Sequence, residues 1–138
     1  MALKWFFRSR PEEADLGAAL ALLREVAEGN LVLVQPPHFV AEVSAVLARE
    51  APAGAATMLR DLLDIELQVV ESEAVYDRAM ALSVQLGHHL FDTLYHAVAL
   101  ESAGALLVTA DERYWRKARR AGRIVRLAEF GMAHGDER

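Results

Sequence analysis

The chain has no cysteine among its 138 residues, which excludes a disulfide framework, a thiolate zinc site and a cysteine nucleophile. It also has no apolar run near the ~18 residues that span a bilayer. Its first residues lack the basic start and long apolar core of a secretory signal. We therefore expect a cytoplasmic protein that is not inserted in a membrane.

Further absences narrow the possible chemistry. The chain contains neither a P-loop nor the G-x-G-x-x-G fingerprint of dinucleotide-binding proteins, and it has no nucleophile elbow. Only four prolines accompany 54% hydrophobic residues, so the composition is that of a folded chain and not of a disordered one. The length indicates one domain over residues 1–131, followed by a loose polar tail over 132–138.

Short apolar runs alternate with helical patterns along the sequence. Strands are predicted at 31–34, 67–70, 106–108 and 124–127, the last at an edge. Helices are predicted at about 11–28, 36–50, 55–63, 73–86, 91–103 and 111–121. This alternation favours a parallel α/β sheet with helices on both faces. Residues 2–7 are predicted to form a helical turn, so the central first strand of such a domain is not found.

Three carboxylates lie at positions where a site can form. Glu42 borders the apolar stripe of its helix, so its head either reaches water or meets a partner. Asp92 begins a helix, and capping that helix is the alternative interpretation. Asp111 follows a buried strand, and Thr109 with Glu112 fits the capping-box pattern. If Thr109 caps the helix, Asp111 is available to a ligand.

Carboxylates without cysteine or an organised histidine pair suggest a hard cation, Mg²⁺ or Mn²⁺. Thr109 is a candidate to hydrogen-bond a water or phosphate there. A mixed site is conceivable because Asp92 and His96 are four residues apart. The alternative is that His96 is a polar residue on the helix flank and that His88 and His89 form a surface turn.

Basic residues are concentrated after Asp111, although the formal net charge of −5 argues weakly against binding nucleic acid through global charge. By default such a segment is a solvated helix face. Because it begins beside an acidic group, Arg113, Arg116 and Lys117 are candidates to contact an RNA backbone. Lys4, next to aromatic residues, is a weaker candidate.

Four segments together resemble PIN-domain proteins of the VapC type, the toxins of toxin–antitoxin pairs. They are Ala2-Leu3-Lys4-Trp5-Phe6, Glu42-Val43-Ser44-Ala45-Val46-Leu47, Phe91-Asp92-Thr93-Leu94-Tyr95-His96-Ala97-Val98-Ala99 and Val108-Thr109-Ala110-Asp111. They occur in the family's order and cover nearly the whole chain. The resemblance implies a three-layer α/β PIN-like fold.

The resemblance also implies a Mg²⁺- or Mn²⁺-dependent endoribonuclease, with Glu42, Asp92 and Asp111 around the metal and a water attacking the phosphodiester in line. It further implies a homodimer and a cognate antitoxin that blocks the site. The alternative is a catalytically impaired module of the same fold that binds nucleic acid or antitoxin. A phosphoacceptor receiver domain would need paired acids after its first strand and a lysine near a late strand, and the sequence has neither.

The sequence departs from the family's pattern in two places. The family's first aspartate ends its first strand, a few residues before the segment that matches Ala2 to Trp5, and the sequence does not contain it. The family also often has an asparagine three residues after the acid that matches Glu42, and that position is Ala45 here. We therefore expect weak metal affinity and low activity from the chain as given.

We predict that Met1 corresponds to an internal valine whose GTG codon was read as a start, and that the missing strand and aspartate are encoded just upstream. Sequencing the genomic DNA before this codon tests the prediction. An in-frame stop codon immediately before Met1 would contradict it.

Overall fold

The computed structural model describes residues 2–4, 24–65 and 67–129, and for residues 2–4 it describes the backbone alone. The predicted helix from 11 to 28 lies mostly outside these ranges, although residues 24–27 are helical. The predicted tail over 132–138 also lies outside them. No helix of the described residues is long and apolar enough to cross a membrane.

The structure is a three-layer α/β fold around a parallel sheet, as predicted. The strands are β1 (Ala2–Lys4), β2 (Leu33–Gln35), β3 (Leu67–Val69), β4 (Leu107–Thr109) and β5 (Ile124–Arg126). Their order is β3-β2-β1-β4-β5, and every neighbouring pair is parallel. β2 and β4 are completely buried, which is typical of central strands covered on both faces. Each consists of two apolar residues followed by a buried polar one, Gln35 in β2 and Thr109 in β4. β5 is an edge strand, as expected.

The first segment corrects the sequence analysis. Ala2–Lys4 is the central strand, not a helical turn, and it pairs with β2 and with β4. Its register with β4 sets Leu3 opposite Val108 and Lys4 opposite Thr109. The physical reason is that an empty central position would leave the inner backbone groups of β2 and β4 without partners. Helical spacing over six residues was too short a pattern to decide between strand and helix.

Besides the helical residues 24–27, the described part of the chain has five α-helices between its strands. They are α1 (Phe39–Glu50), α2 (Ala55–Asp64), α3 (Glu73–Leu86), α4 (Leu90–Glu101) and α5 (Glu112–Ala118), and a 3₁₀ turn at Arg119–Ala121 continues α5. Each lies within a few residues of its predicted position. Of these five helices α4 is the most buried, because every residue from Thr93 to Ala99 is buried. It packs against α3 and against β1, β2 and β4.

The ends of α3 follow from local chemistry. Ser72 is the N-cap, and its hydroxyl accepts a hydrogen bond of 3.2 Å from the Val75 N–H. Gly87 ends the helix in the left-handed conformation, with φ of 60°, which glycine adopts without a steric penalty. Both ends agree with the sequence analysis.

We expect Ser72→Ala to lower the free energy of unfolding by about 1 kcal/mol, because an amide at the start of α3 loses its acceptor. Ser44→Ala is the matched control. The Ser44 hydroxyl donates to the Val40 carbonyl inside α1, so its loss is expected to change stability by less than about 0.5 kcal/mol. Urea denaturation measures both. Equal effects of the two substitutions would contradict the capping role.

Candidate active site

The first part of the site lies at the amino-terminal end of α4. The N-cap is His89, whose side chain makes no capping hydrogen bond, and Asp92 lies in the first turn. The interpretation of Asp92 as the cap is therefore wrong. Its Oδ2 atom lies 2.8 Å from Nε2 of His88. A carboxylate in the first turn is favoured by the partial positive charge of the helix end.

The second part follows β4, where the predicted capping pattern is wrong. Asp111 is the N-cap of α5, and its Oδ1 accepts a hydrogen bond of 3.0 Å from the Tyr114 N–H. Thr109 lies two residues earlier, and its hydroxyl accepts a hydrogen bond of 3.0 Å from the Asp111 N–H. Because the helix begins at Glu112, Thr109 lies too early to be its cap. Its hydroxyl instead fixes the backbone of Asp111, which is the cap.

Two of the predicted carboxylates converge. Ligand atoms of His88, Asp92 and Asp111 all lie within 4.8 Å of one another, and each residue is partly buried. They line a cavity of about 590 Å³. Its other lining residues come from the end of α3, the following loop, the start of α4 and α5: Ser83, Gly87, His89, Leu90, Arg113 and Lys117. The opening is at the carboxyl ends of the strands, where α/β sheets form their sites.

The basic candidates separate in the structure. Arg113 and Lys117 line the cavity, as expected of two residues four apart on one helix face. Arg116 is exposed and is not among the lining residues. The side chain of Lys4 lies outside the described part of the chain. Lys117 places its Nζ atom 3.5 Å from Nδ1 of His88.

Glu42 has a different environment from the other two acids. Its Oε2 accepts a hydrogen bond of 2.5 Å from the Tyr95 hydroxyl, and Oε1 lies 3.6 Å from Nε2 of His38. It is not part of the group of atoms within 4.8 Å. The charges of Glu42 on α1 and of Asp92 on α4 both act on Tyr95.

Two buried tyrosines keep their protons beside these carboxylates. Burial raises the pKa of Tyr95 far above its ordinary value, and the hydrogen bond to Glu42 raises it further. Burial likewise raises the pKa of Tyr114, with contributions from the charges of Asp92 and Asp111. Each hydroxyl therefore remains a hydrogen-bond donor at neutral and moderately alkaline pH.

The structure contradicts both interpretations of His96, and it places His88 at the site. His96 is fully buried, not on the helix flank. Its Nε2 donates to the Gly122 carbonyl at 2.8 Å, and its Nδ1 accepts from the Tyr114 hydroxyl at 2.9 Å. Both ring nitrogens therefore serve the core. His88 is the histidine that meets Asp92, and the sequence signal was its position four residues before that aspartate.

The donor set fits a divalent cation. It offers one imidazole nitrogen and two carboxylates, which are common ligands of Mn²⁺ and related ions. The cavity leaves room for the waters that complete the coordination of such ions. No acidic residue directly follows β1, because the first acid in the chain is Glu12. Of the described residues, His88, Asp92 and Asp111 are thus the ones that could hold the ion together.

The fold and site define an α/β domain with acidic and basic groups at the carboxyl edge of its sheet. A family model for the PIN domain matches residues 2–120. The chain belongs to this family, whose members are nucleases that generally use divalent metals and act on nucleic acid. No curated protein and no solved structure matches the chain significantly.

We expect Asp111→Ala to lower the free energy of unfolding by about 1 kcal/mol, because α5 loses its cap. Asparagine caps helices nearly as well as aspartate, so Asp111→Asn is expected to stay within about 0.3 kcal/mol of the original chain. Urea denaturation distinguishes them. If alanine and asparagine gave the same stability, the capping role of Asp111 would be wrong.

Proposed function

We propose that the chain is a metal-dependent endoribonuclease that hydrolyses RNA phosphodiesters. The observation that carries the proposal is the convergence of Asp92 and Asp111. They belong to separate elements, and their ligand atoms meet that of His88 within 4.8 Å. In a chain of a nuclease family, a carboxylate group at the carboxyl edge of the sheet is where a catalytic cation would be held.

A bound Mg²⁺ or Mn²⁺ would activate a water and neutralise charge on the scissile phosphate. Asp92 and Asp111 are the proposed protein ligands. The Thr109 hydroxyl fixes the backbone of Asp111 and so limits the positions open to its carboxylate. Glu42 is the third carboxylate of the proposal. It lies outside the group of three, and the hydrogen bond from the Tyr95 hydroxyl fixes its orientation.

Two cations on one wall of the cavity provide the proposed contact with RNA. Arg113 and Lys117 lie beside the carboxylate group, so they can bind phosphates on either side of the scissile bond. Their charge also offsets the repulsion between the polyanion and the acidic group. Local charge of this kind is compatible with a chain whose formal net charge is −5.

The biological setting belongs to the same proposal. The resemblance to VapC-type toxins supports a toxin that acts in the cytoplasm as a homodimer and is held inactive by a cognate antitoxin protein. A small reading frame for a DNA-binding protein beside this gene would be the expected source of that antitoxin. Co-expression of the two products would test their association.

One observation favours a second candidate, a catalytically impaired module that binds nucleic acid or antitoxin. The family's first aspartate ends its first strand, whereas here the residues after β1 are Trp5, Phe6 and Phe7. A site with fewer carboxylates holds Mg²⁺ less tightly. The nuclease would bind and cleave RNA, whereas the impaired module would not cleave it.

We expect the purified chain to cleave single-stranded RNA in the presence of Mn²⁺ or Mg²⁺ and to stop when EDTA is added. Asp92→Asn is expected to reduce the rate at least about a hundredfold, because it removes a ligand charge while preserving the size of the side chain. A gel assay with end-labelled RNA measures the rate. Far-ultraviolet circular dichroism checks the fold.

Asp77→Asn is the matched control, since Asp77 is an exposed acid on α3. Its rate is expected to equal that of the unsubstituted chain. Tight RNA binding without any metal-dependent cleavage would favour the impaired module. Cleavage that survives both Asp92→Asn and EDTA would contradict the proposed site.

A further inference from the structure

We propose that His88 is a third protein ligand of the cation, and that the centre therefore binds Mn²⁺ in preference to Mg²⁺. This inference rests on the proposed function, because it concerns the same cation. It assigns a role to a residue that the carboxylate pattern of the family does not include. The argument uses the spacing of the ligand atoms, the anchoring of His88 and the chemistry of the donor set.

The first step is the spacing of the ligand atoms. Nε2 of His88 lies 2.8 Å from Oδ2 of Asp92, and a ligand atom of Asp111 lies within 4.8 Å of both. Atoms that share one cation at ~2.1 Å lie between about 3 and 4.2 Å apart. The three donors thus need only small shifts to surround one ion.

The second step is the anchoring of His88. Its backbone N–H donates to the Ser83 carbonyl at 3.1 Å, and its carbonyl accepts from the Ser83 hydroxyl at 2.5 Å. Its ring packs on that of Tyr114, with centroids 4.8 Å apart. The side chain is only 11% exposed. A donor held by its backbone and by a buried ring loses little conformational freedom when it binds a metal.

The third step compares the neighbouring histidines of this region. Both ring nitrogens of His96 are occupied in the core. His89 is exposed and is not part of the group of three. His88 is thus the histidine whose ring nitrogen meets the carboxylates, which makes His89 a control of the same residue type in the next position.

The contact with Lys117 defines what must change when a cation binds. An ammonium group only donates, so Nδ1 of His88 accepts from Lys117 and the ring proton lies on Nε2, facing Asp92. Coordination through Nε2 would require that proton to move to Nδ1. Nδ1 would then no longer accept from Lys117, and the ammonium would be free to bind an RNA phosphate in the cavity.

The donor set predicts the metal preference. Mg²⁺ strongly prefers oxygen ligands and gains little from an imidazole. Mn²⁺ accepts nitrogen as well as oxygen, so the ring nitrogen adds to its affinity. Because no acid directly follows β1, a nitrogen donor is also the available third side-chain ligand of the described group.

Calorimetric titration of the full chain with MnCl₂ and with MgCl₂ tests the proposal without using activity. We expect Mn²⁺ to bind at least about tenfold more tightly than Mg²⁺. His88→Ala is expected to weaken Mn²⁺ binding by about 10- to 100-fold and to change Mg²⁺ binding by less than about threefold. His89→Ala is expected to leave both affinities unchanged.

His88→Gln serves if the alanine variant does not fold, because its amide can reach the position of Nε2 and still donate to Asp92 while the ring nitrogen is gone. It too is expected to lose the preference for Mn²⁺. Equal weakening of both ions would overturn the proposal and make His88 a residue that only positions Asp92. A chain that binds both ions equally before substitution would overturn it as well. Absence of any metal binding or cleavage by the unsubstituted chain would instead refute the proposed function.

Discussion

The burial of polar side chains on α4 is the constraint on which the site depends. Three polar side chains on this buried helix each need a partner, because an unsatisfied buried group is costly. Thr93 donates to the Ala79 carbonyl on α3, Tyr95 to Glu42 on α1, and His96 pairs with Tyr114 on α5. These bonds fix the rotation and height of α4. They therefore place Asp92, one residue before Thr93, at the carboxyl edge of the sheet.

The acidic and basic side chains of the site lie near buried tyrosines of α4 and α5. The charges of Glu42 and Asp92 act on Tyr95, and those of Asp92 and Asp111 act on Tyr114. Both tyrosines keep their protons, so they add no further negative charge beside these acids. α5 begins after the cap Asp111 and presents Arg113 and Lys117 to the same cavity. The junction of β4 and α5 thus contributes both an acid of the proposed cation site and the basic residues of the proposed RNA contact.

Much of the fold was predictable because it rests on short-range patterns. Ser72 and Gly87 define α3 by local chemistry alone. The predicted elements were wrong where several local patterns competed. Thr109 and Glu112 fit a capping box, yet the cap of α5 is Asp111. Thr109 is still paired with β5 as part of the sheet, and a side-chain pattern does not specify the residue at which that pairing ends. The strand at Ala2–Lys4 was missed because its partners are distant in sequence.

The sequence by itself determined the alternation of strands and helices, the acids that follow them and the concentration of basic residues after Asp111. These properties depend on spacing and composition, which are local. Only the tertiary structure decided which side chains meet. His88 and His96 each lie four residues from Asp92, but the helix axis carries His96 about 6 Å toward the core, whereas His88 precedes the helix and remains at its open end. That direction depends on what packs around α4, and therefore on the whole fold.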